Sequence, residues 1–390
     1  MNHHQPANTI GRIDLVDALR GFALMGLFLI HMVEYFELYW YQPEPGPIHD
    51  WMFLIFGGKA YGIFALLFGL SFYVIMENQR RKGFNFTRRF CWRLTLLAIL
   101  GAMHGLLYSG DILQVLAVAG FILVWVQRWS PAGILCLAAL MLLQVPLLAQ
   151  LAYFELSSSA GLADPLNWQL SGATFAVLAH GSFGEVLSHN AFWGQAGKWM
   201  YFVESGRLWQ LIGLFLLGYV LAQKQFFSRQ QQHLKYALWG VVLALLSVFV
   251  ISLGKVPLSE LALKSGSLRV VGNILDSWHN LAILCLELSV FIAAYQLSAC
   301  RWLLNLQAPA GRMSLSMYLL QTLIGVPLFY GYGMGLYATS GQAFALLLGI
   351  GLWLIQLVLA ARYMQYFRYG PAEWLWRAAT YSNFRLALRR

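Results

Sequence analysis

Ten stretches of roughly twenty mostly apolar residues recur along this chain, at 14–36, 51–77, 90–109, 111–127, 132–153, 207–224, 236–254, 272–298, 311–332 and 341–366. About 20 such residues in a helix cross the hydrocarbon core of a bilayer, where each backbone N–H and C=O must be paired inside the protein. The pattern therefore predicts an all-α integral membrane protein of about ten spans. Composition agrees, with 59% of the 390 residues hydrophobic and only 11% charged, against about 25% charged in a soluble domain. No repeat or low-complexity tract interrupts the pattern, so a single polytopic domain over 1–390 is expected. The opening MNHHQPANTIG is short and polar, and the first apolar run reads as a retained anchor.

The net charge of +10 would suggest nucleic acid in a soluble protein. Here the basic residues cluster between apolar runs, which is a topology signal, and no nucleic-acid partner is expected. Arg80, Arg81, Lys82, Arg88, Arg89 and Arg93 crowd the connection after the second run and place it in the cytoplasm. Alternation then puts Lys224, Arg229, Lys235, Arg301, Arg312 and the arginine-rich tail on the same side, with both termini cytoplasmic. The long 154–206 segment falls outside, with Lys198 and Arg207 as its basic residues, and an outer loop with Lys255, Lys264 and Arg269 is an exception. Tryptophans in 154–206 and in the C-terminal YFRYGPAEWLWRAATY predict short interfacial helices. Cys91, Cys136, Cys285 and Cys300 are scattered, without the spacing of a disulfide or metal framework.

A charge at mid-bilayer costs roughly 2.5–3.5 kcal/mol on insertion scales, so ionisable residues inside the runs are the informative ones. Asp17 and Arg20 are three apart and able to pair. His31 follows Arg20 on nearly the same helical face, about 16 Å further along, so one face of this helix is expected to be polar from end to end. Lys59 stands beside Gly57, Gly58 and Gly62 in the second run, and His104 and Asp111 bracket the third and fourth. Alternation puts His31, Lys59, His104 and Asp111 in the outer half, where Lys59 is expected to face a pocket holding His104 and Asp111. Asp111 also suits the cap of the following helix. Further along, Asp276, Asn280 and Glu287 share a stripe with His279 beside it, and Ser314, Tyr318 and Gln321 form another, for which interhelical hydrogen bonds are a sufficient reason.

The strings LVDALRGFALMGLFLIH, KAYGIFALLFGLSF, RRFCWRLTLLAILGAMHGLLYSGDILQVLAVAG, AGRMSLSMYLLQTLIGVPLFYG and YFRYGPAEWLWRAATY together resemble the YeiB family of bacterial inner-membrane proteins. That family is similar to the transmembrane acyltransferase superfamily, whose members take an acyl group from acyl-CoA at one face and deliver it to an acceptor at the other. The resemblance implies acyl-CoA, acetyl-CoA in the simplest case, as donor, with Arg20 and Asp17 at its binding site and Arg20 on its phosphates. It implies His31 or His104 as general base, Asp111 orienting His104, and Lys59 on the developing oxyanion. It implies membrane lipids and an envelope glycan or lipid acceptor as partners, and no metal. Arginine and histidine with ten residues between them in RGFALMGLFLIH resemble the first span of the type-3 acyltransferases.

Two other classes fit the same residues. Intramembrane Asp276 and Glu287 with glycine-interrupted helices also describe a proton-coupled transporter, and a non-catalytic lipid-binding protein is the third reading. An oligomer is compatible with each.

Overall fold

A computed structural model describes residues 10–157, 164–228, 233–255 and 263–390 of the chain. Arg229, the Lys255 side chain and most of the polar N-terminal start lie outside the described residues. Helix α1 (Asp14–Val33) leads through a 3-10 turn (Tyr35–Trp40) to α2 (Pro47–Phe56) and α3 (Ala60–Arg81). Then come α4 (Thr87–Leu107), α5 (Leu113–Val126), α6 (Pro131–Leu142), α7 (Val145–Leu156), α8 (Leu166–His180) and α9 (Phe183–His189). A π turn at Asn190–Gly194 joins α9 to α10 (Gln195–Glu204), followed by α11 (Arg207–Gln223), α12 (His233–Lys255) and α13 (Ser265–Gln296). The chain closes with α14 (Ser298–Asn305), α15 (Ala308–Arg312), α16 (Ser314–Phe329), α17 (Gln342–Tyr366) and α18 (Pro371–Tyr381). An isolated antiparallel bridge, Phe367 with Arg389, is the strand-like pairing among the described residues.

Every apolar stretch read from the sequence contains helix, and the chain is an all-α, multi-pass membrane protein. Among the described residues, six helical stretches are long and apolar enough to cross a membrane: Asp14–Trp40, Pro47–Arg81, Thr87–Leu107, Leu234–Gly254, Ser265–Gln296 and Gln342–Tyr366. Two bent pairs raise the number to as many as eight: Pro131–Leu142 with Val145–Leu156 at 49°, and Phe183–Glu204 with Arg207–Gln223 at 69°. The other two predicted spans are α5 and α16, of 14 and 16 residues, short of the roughly 20 that cross the core unaided.

Each break has a local cause. Gln144 takes a left-handed φ of 59° ahead of the proline in the first turn of α7, so the 132–153 stretch is bent, not straight. Gly206 does the same at φ 74° before α11. The two breaks are tied together: the Gln144 amide donates to the Gly206 carbonyl at 3.0 Å and to Ser277 Oγ of α13 at 2.6 Å. In the second span, Gly57 and Gly58 interrupt the helix before α3, with Gly58 at φ +80°, a conformation glycine adopts at no steric cost.

Glycines also set the closest helix crossings. A Cβ on Gly69 would lie 1.9 Å from the Phe215 carbonyl oxygen, and one on Gly218 1.9 Å from that of Leu66, so α3 and α11 touch backbone to backbone in both directions. A Cβ on Gly311 would meet the Asp17 carbonyl at 1.9 Å, and one on Gly21 that of Gln307 at 2.1 Å, which seats α15 on α1. Without a hydrophobic force between helices in lipid, such small-residue contacts supply the packing.

The C-terminal YFRYGPAEWLWRAATY acquires a structural reason here. Pro371 starts α18, and Glu373 accepts from the Leu315 and Ser316 backbone N–H groups at 2.6 and 3.2 Å, serving as the anion at the N-terminus of α16. Trp376 donates to the Arg93 carbonyl at 2.9 Å, and the Arg93 guanidinium lies 3.6 Å from the Trp376 ring centre, so α18 is fastened to α4 as well.

Gly218→Val is expected to force α3 and α11 apart and to destabilise the fold by about 1–3 kcal/mol or more. Thermal unfolding of the purified, detergent-solubilised protein checks this; an unchanged Tm would show that the crossing does not hold the helices.

Candidate functional site

Polar residues gather at the two ends of α1. At its N-terminal end the buried Asp17 carboxylate pairs with Arg12 Nε and lies 3.2 Å from Arg20 Nη1. Arg20 also donates to Ser71 Oγ on α3 at 3.2 Å and to the Gly311 carbonyl at 3.5 Å. Sequence spacing anticipated the Asp17–Arg20 pair, and the α15 contact is a tertiary addition. Two adjoining grooves of about 270 and 380 Å³ run along Ile10–Asp14, with Arg81 on the wall of one and Arg12 and Arg301 on the wall of the other. The face of α1 between Arg20 and His31 is not continuously polar. Leu24, Leu27 and Phe28 occupy the same stripe and are buried in the core, because α1 is packed on nearly all sides.

At the other end, the chain reverses hand. Tyr35, Phe36 and Glu37 have φ of 51°, 48° and 79°, a left-handed run that costs roughly 1–2 kcal/mol per residue. Buried aromatic contacts hold it: Tyr35 and Phe36 pack on Phe329 at 5.4 and 6.3 Å, and Phe36 on Tyr108 at 5.5 Å. The reversal folds Glu37 back toward His31, whose Nδ1 is 3.4 Å from Glu37 Oε1. The Tyr108 hydroxyl donates to Glu37 Oε1 and lies 3.1 Å from His31 Nδ1. Glu34 is buried beside them, accepting from Trp40 Nε1 at 3.2 Å, with His49 Nε2 at 3.6 Å.

Next to this cluster, His104 and Asp111 meet as expected, Nδ1 to Oδ1 at 2.7 Å, with side chains 3% and 0% exposed. The other Asp111 oxygen accepts from the Gln114 backbone N–H at 3.1 Å, so the carboxylate both caps the first turn of α5 and orients the imidazole. His104 Nε2 is buried and, among the described residues, has no hydrogen-bond partner. The His104 ring is 5.1 Å from that of Tyr318 and 6.3 Å from that of Tyr108, which links the dyad to His31 through one tyrosine. The Tyr318 hydroxyl accepts from the Ile112 N–H at 3.3 Å.

Lys59 goes elsewhere. Its ammonium donates to the Phe53 carbonyl at 3.1 Å, below the Gly57–Gly58 break, and its charge reaches Glu287, both of whose oxygens are buried without a hydrogen bond. The cation bonded into the shell of Asp111 is Lys198, which donates to Gln114 Oε1 at 2.9 Å. Arg207 lies over Tyr201 and Tyr61, at 4.9 and 5.6 Å, and faces Gly58 together with Asn280. On α13, Asp276 is exposed and His279 half-buried, so the stripe predicted there is split between environments. Gln321 donates to Gln356 Oε1 at 3.4 Å, a helix-to-helix contact of the expected kind. Ser314 and Arg312 are half-buried at the start of α16, with Arg312 Nε lacking a partner.

Sequence reasoning missed Glu34, Glu37, Tyr108 and Lys198. The three-residue spacing of His31, Glu34 and Glu37 was the available signal, masked because Glu34 sits at the very end of the 14–36 run and Glu37 past it.

Comparison with known proteins adds weight to this half of the chain. Residues 12–167 match the model for the heparan-alpha-glucosaminide N-acetyltransferase catalytic family, a stretch holding Arg20, His31, Lys59, His104 and Asp111. Residues 221–383 match the model described as a protein of unknown function, DUF418. Among curated relatives, the uncharacterized protein YxaH of Bacillus subtilis (strain 168) is 26% identical, covering 98% of each chain. The uncharacterized protein YeiB of Escherichia coli (strain K12) is 28% identical over 94% of this chain and 95% of its own. No solved structure matches the chain. With relatives matched nearly from end to end and a family model matched in each half, the chain is similar throughout to the YeiB family, and its first half to an acyltransferase-like domain.

Proposed function

We propose that this protein is a transmembrane acyltransferase of a bacterial inner membrane, moving an acyl group from cytoplasmic acyl-CoA to a hydroxyl or amine of an envelope glycan or lipid. In this reading the chain is one domain of ten spans, α5 and α16 included, with both termini in the cytoplasm. The observation that carries it is the His104–Asp111 dyad. Asp111 fixes Nδ1 and leaves Nε2 buried and unpartnered, the arrangement a general base needs.

His104 Nε2 takes the acceptor proton as the acceptor oxygen or nitrogen forms its bond to the thioester carbonyl carbon. The tetrahedral intermediate then collapses with cleavage of the carbon–sulfur bond, and the imidazolium returns the proton to the departing sulfur. Asp111 stabilises the imidazolium between the two steps. At the other end of α1, Arg20 and the groove walls with Arg12, Arg81 and Arg301 supply guanidinium groups suited to the phosphates of coenzyme A, with Asp17 holding Arg20 in place. Lys59 serves the oxyanion only by turning from the Phe53 carbonyl, so its part is tested by Lys59→Met. Metal chemistry is not required by this sequence of steps.

A specific feature favours the transporter as second reading: Glu287 is a buried carboxylate within reach of the Lys59 charge, as in a proton-coupled carrier. Acyl-CoA binding separates the two, since a carrier of a small solute has no use for it.

Cysteines introduced at 78–89 and in the C-terminal tail are expected to be shielded from membrane-impermeant thiol reagents in intact cells; labelling from outside would reverse the orientation. Purified His104→Ala is expected to bind acyl-CoA within about twofold of the parent while losing at least about 10²-fold in transfer rate, since proton transfer acts on the transition state. Arg20→Ala is expected to weaken acyl-CoA binding instead. A folded His104→Ala variant with full specific activity would remove it as the base.

A further inference from the structure

We propose that His31, Glu34 and Glu37 form a binding site for one divalent metal ion of the zinc type. One ligand atom from each of the three lies within 4.8 Å of the other two. Two donors held about 2.0–2.1 Å from a tetrahedral zinc ion stand roughly 3.3 Å apart, and His31 Nδ1 is already 3.4 Å from Glu37 Oε1. The remaining closure is a side-chain adjustment.

Charge is the first argument. Glu34 is buried and Glu37 half-buried; among the described residues His49 pairs with Glu34 and His31 with Glu37, and the Arg207 charge acts on both from farther off. Two carboxylates at one helix end repel unless a cation or a proton stands between them, and a divalent ion neutralises both at once.

Construction is the second. Were α1 to continue, Glu37 would lie about 120° around the axis from His31. The left-handed Tyr35–Glu37 turn brings it back, and strain of this kind persists only where the surroundings enforce it. Glu34 Oε1 accepts from Trp40 and Glu37 Oε1 from Tyr108, the Glu37 oxygen that also faces His31 Nδ1, so side-chain donors aim both carboxylates at the cluster.

His49 supplies an independent sign. It is 6% exposed and stacked on Tyr39 at 3.9 Å; its Nδ1 stands 3.5 Å from Asp50 Oδ1, and among the described residues neither ring nitrogen has a hydrogen bond. Its Nε2 points at Glu34 Oε1 from 3.6 Å, where a small closure would let it orient a ligating carboxylate, the usual outer partner in metal sites. One imidazole with two carboxylates suits zinc better than a soft thiophilic ion. This site goes beyond the acyl-transfer reading and does not depend on it.

The test uses the full chain in detergent, stripped with a chelator, desalted and given Zn²⁺ alone. Elemental analysis after gel filtration is expected to find about one zinc per chain, with Tm raised by the ion. Glu37→Gln and His31→Ala are each expected to weaken zinc binding at least tenfold, while His104→Ala keeps it, because the dyad lies outside the ligand set. Should His31→Ala fail to fold, the isosteric Glu37→Gln and the zinc-dependent Tm of the parent still decide. No retained zinc and no Tm shift in the parent protein would overturn the site, as would unchanged binding in Glu37→Gln. Loss of acyl transfer in His104→Ala with zinc retained keeps the two proposals distinguishable.

Discussion

The cost of placing ionisable and polar groups among hydrocarbon governs this structure. A single charge at mid-bilayer costs a few kcal/mol, so the chain concentrates such groups where each meets another. Arg20 spreads its guanidinium over Asp17, Ser71 and the Gly311 carbonyl. His104 meets Asp111, Glu37 meets Tyr108 and His31, and Lys59 meets the Phe53 carbonyl at the end of α2. The fold is the arrangement of helices that makes these meetings possible.

Glycine is the device that lets them happen. Paired crossings at Gly69 with Gly218, and at Gly21 with Gly311, bring backbones into direct contact, and the second of these carries the Gly311 carbonyl to Arg20. At the breaks near Gly58 and Gly206 side chains add a second donor to backbone carbonyls, as Gln144 does with the Gly206 carbonyl. Irregular backbone at this depth is tolerated only where protein surrounds it. The breaks therefore belong to the interior, beside the polar clusters.

The two ends of α1 offer different chemistry. A guanidinium-walled groove lies at one end, and an imidazole–carboxylate dyad with a histidine–glutamate cluster at the other. Leu24, Leu27 and Phe28 fill the face between them. Apolar packing of that kind keeps the two polar sites apart.

Much of this was legible in the residues alone. Apolar length forces helix, because lipid offers no partner to an unpaired backbone group. The Asp17–Arg20 and His104–Asp111 pairs were also readable, since three residues in one helix and seven across a tight turn leave little freedom. Gln144, Glu37 and Lys59 were not. Their partners lie far along the chain or depend on a left-handed turn and a glycine break, and spacing carries no information about either. The sequence by itself determined that helices form and that the polar residues must be partnered. Only the tertiary structure decided which partner each one met, because that choice rests on backbone contacts between helices remote in sequence.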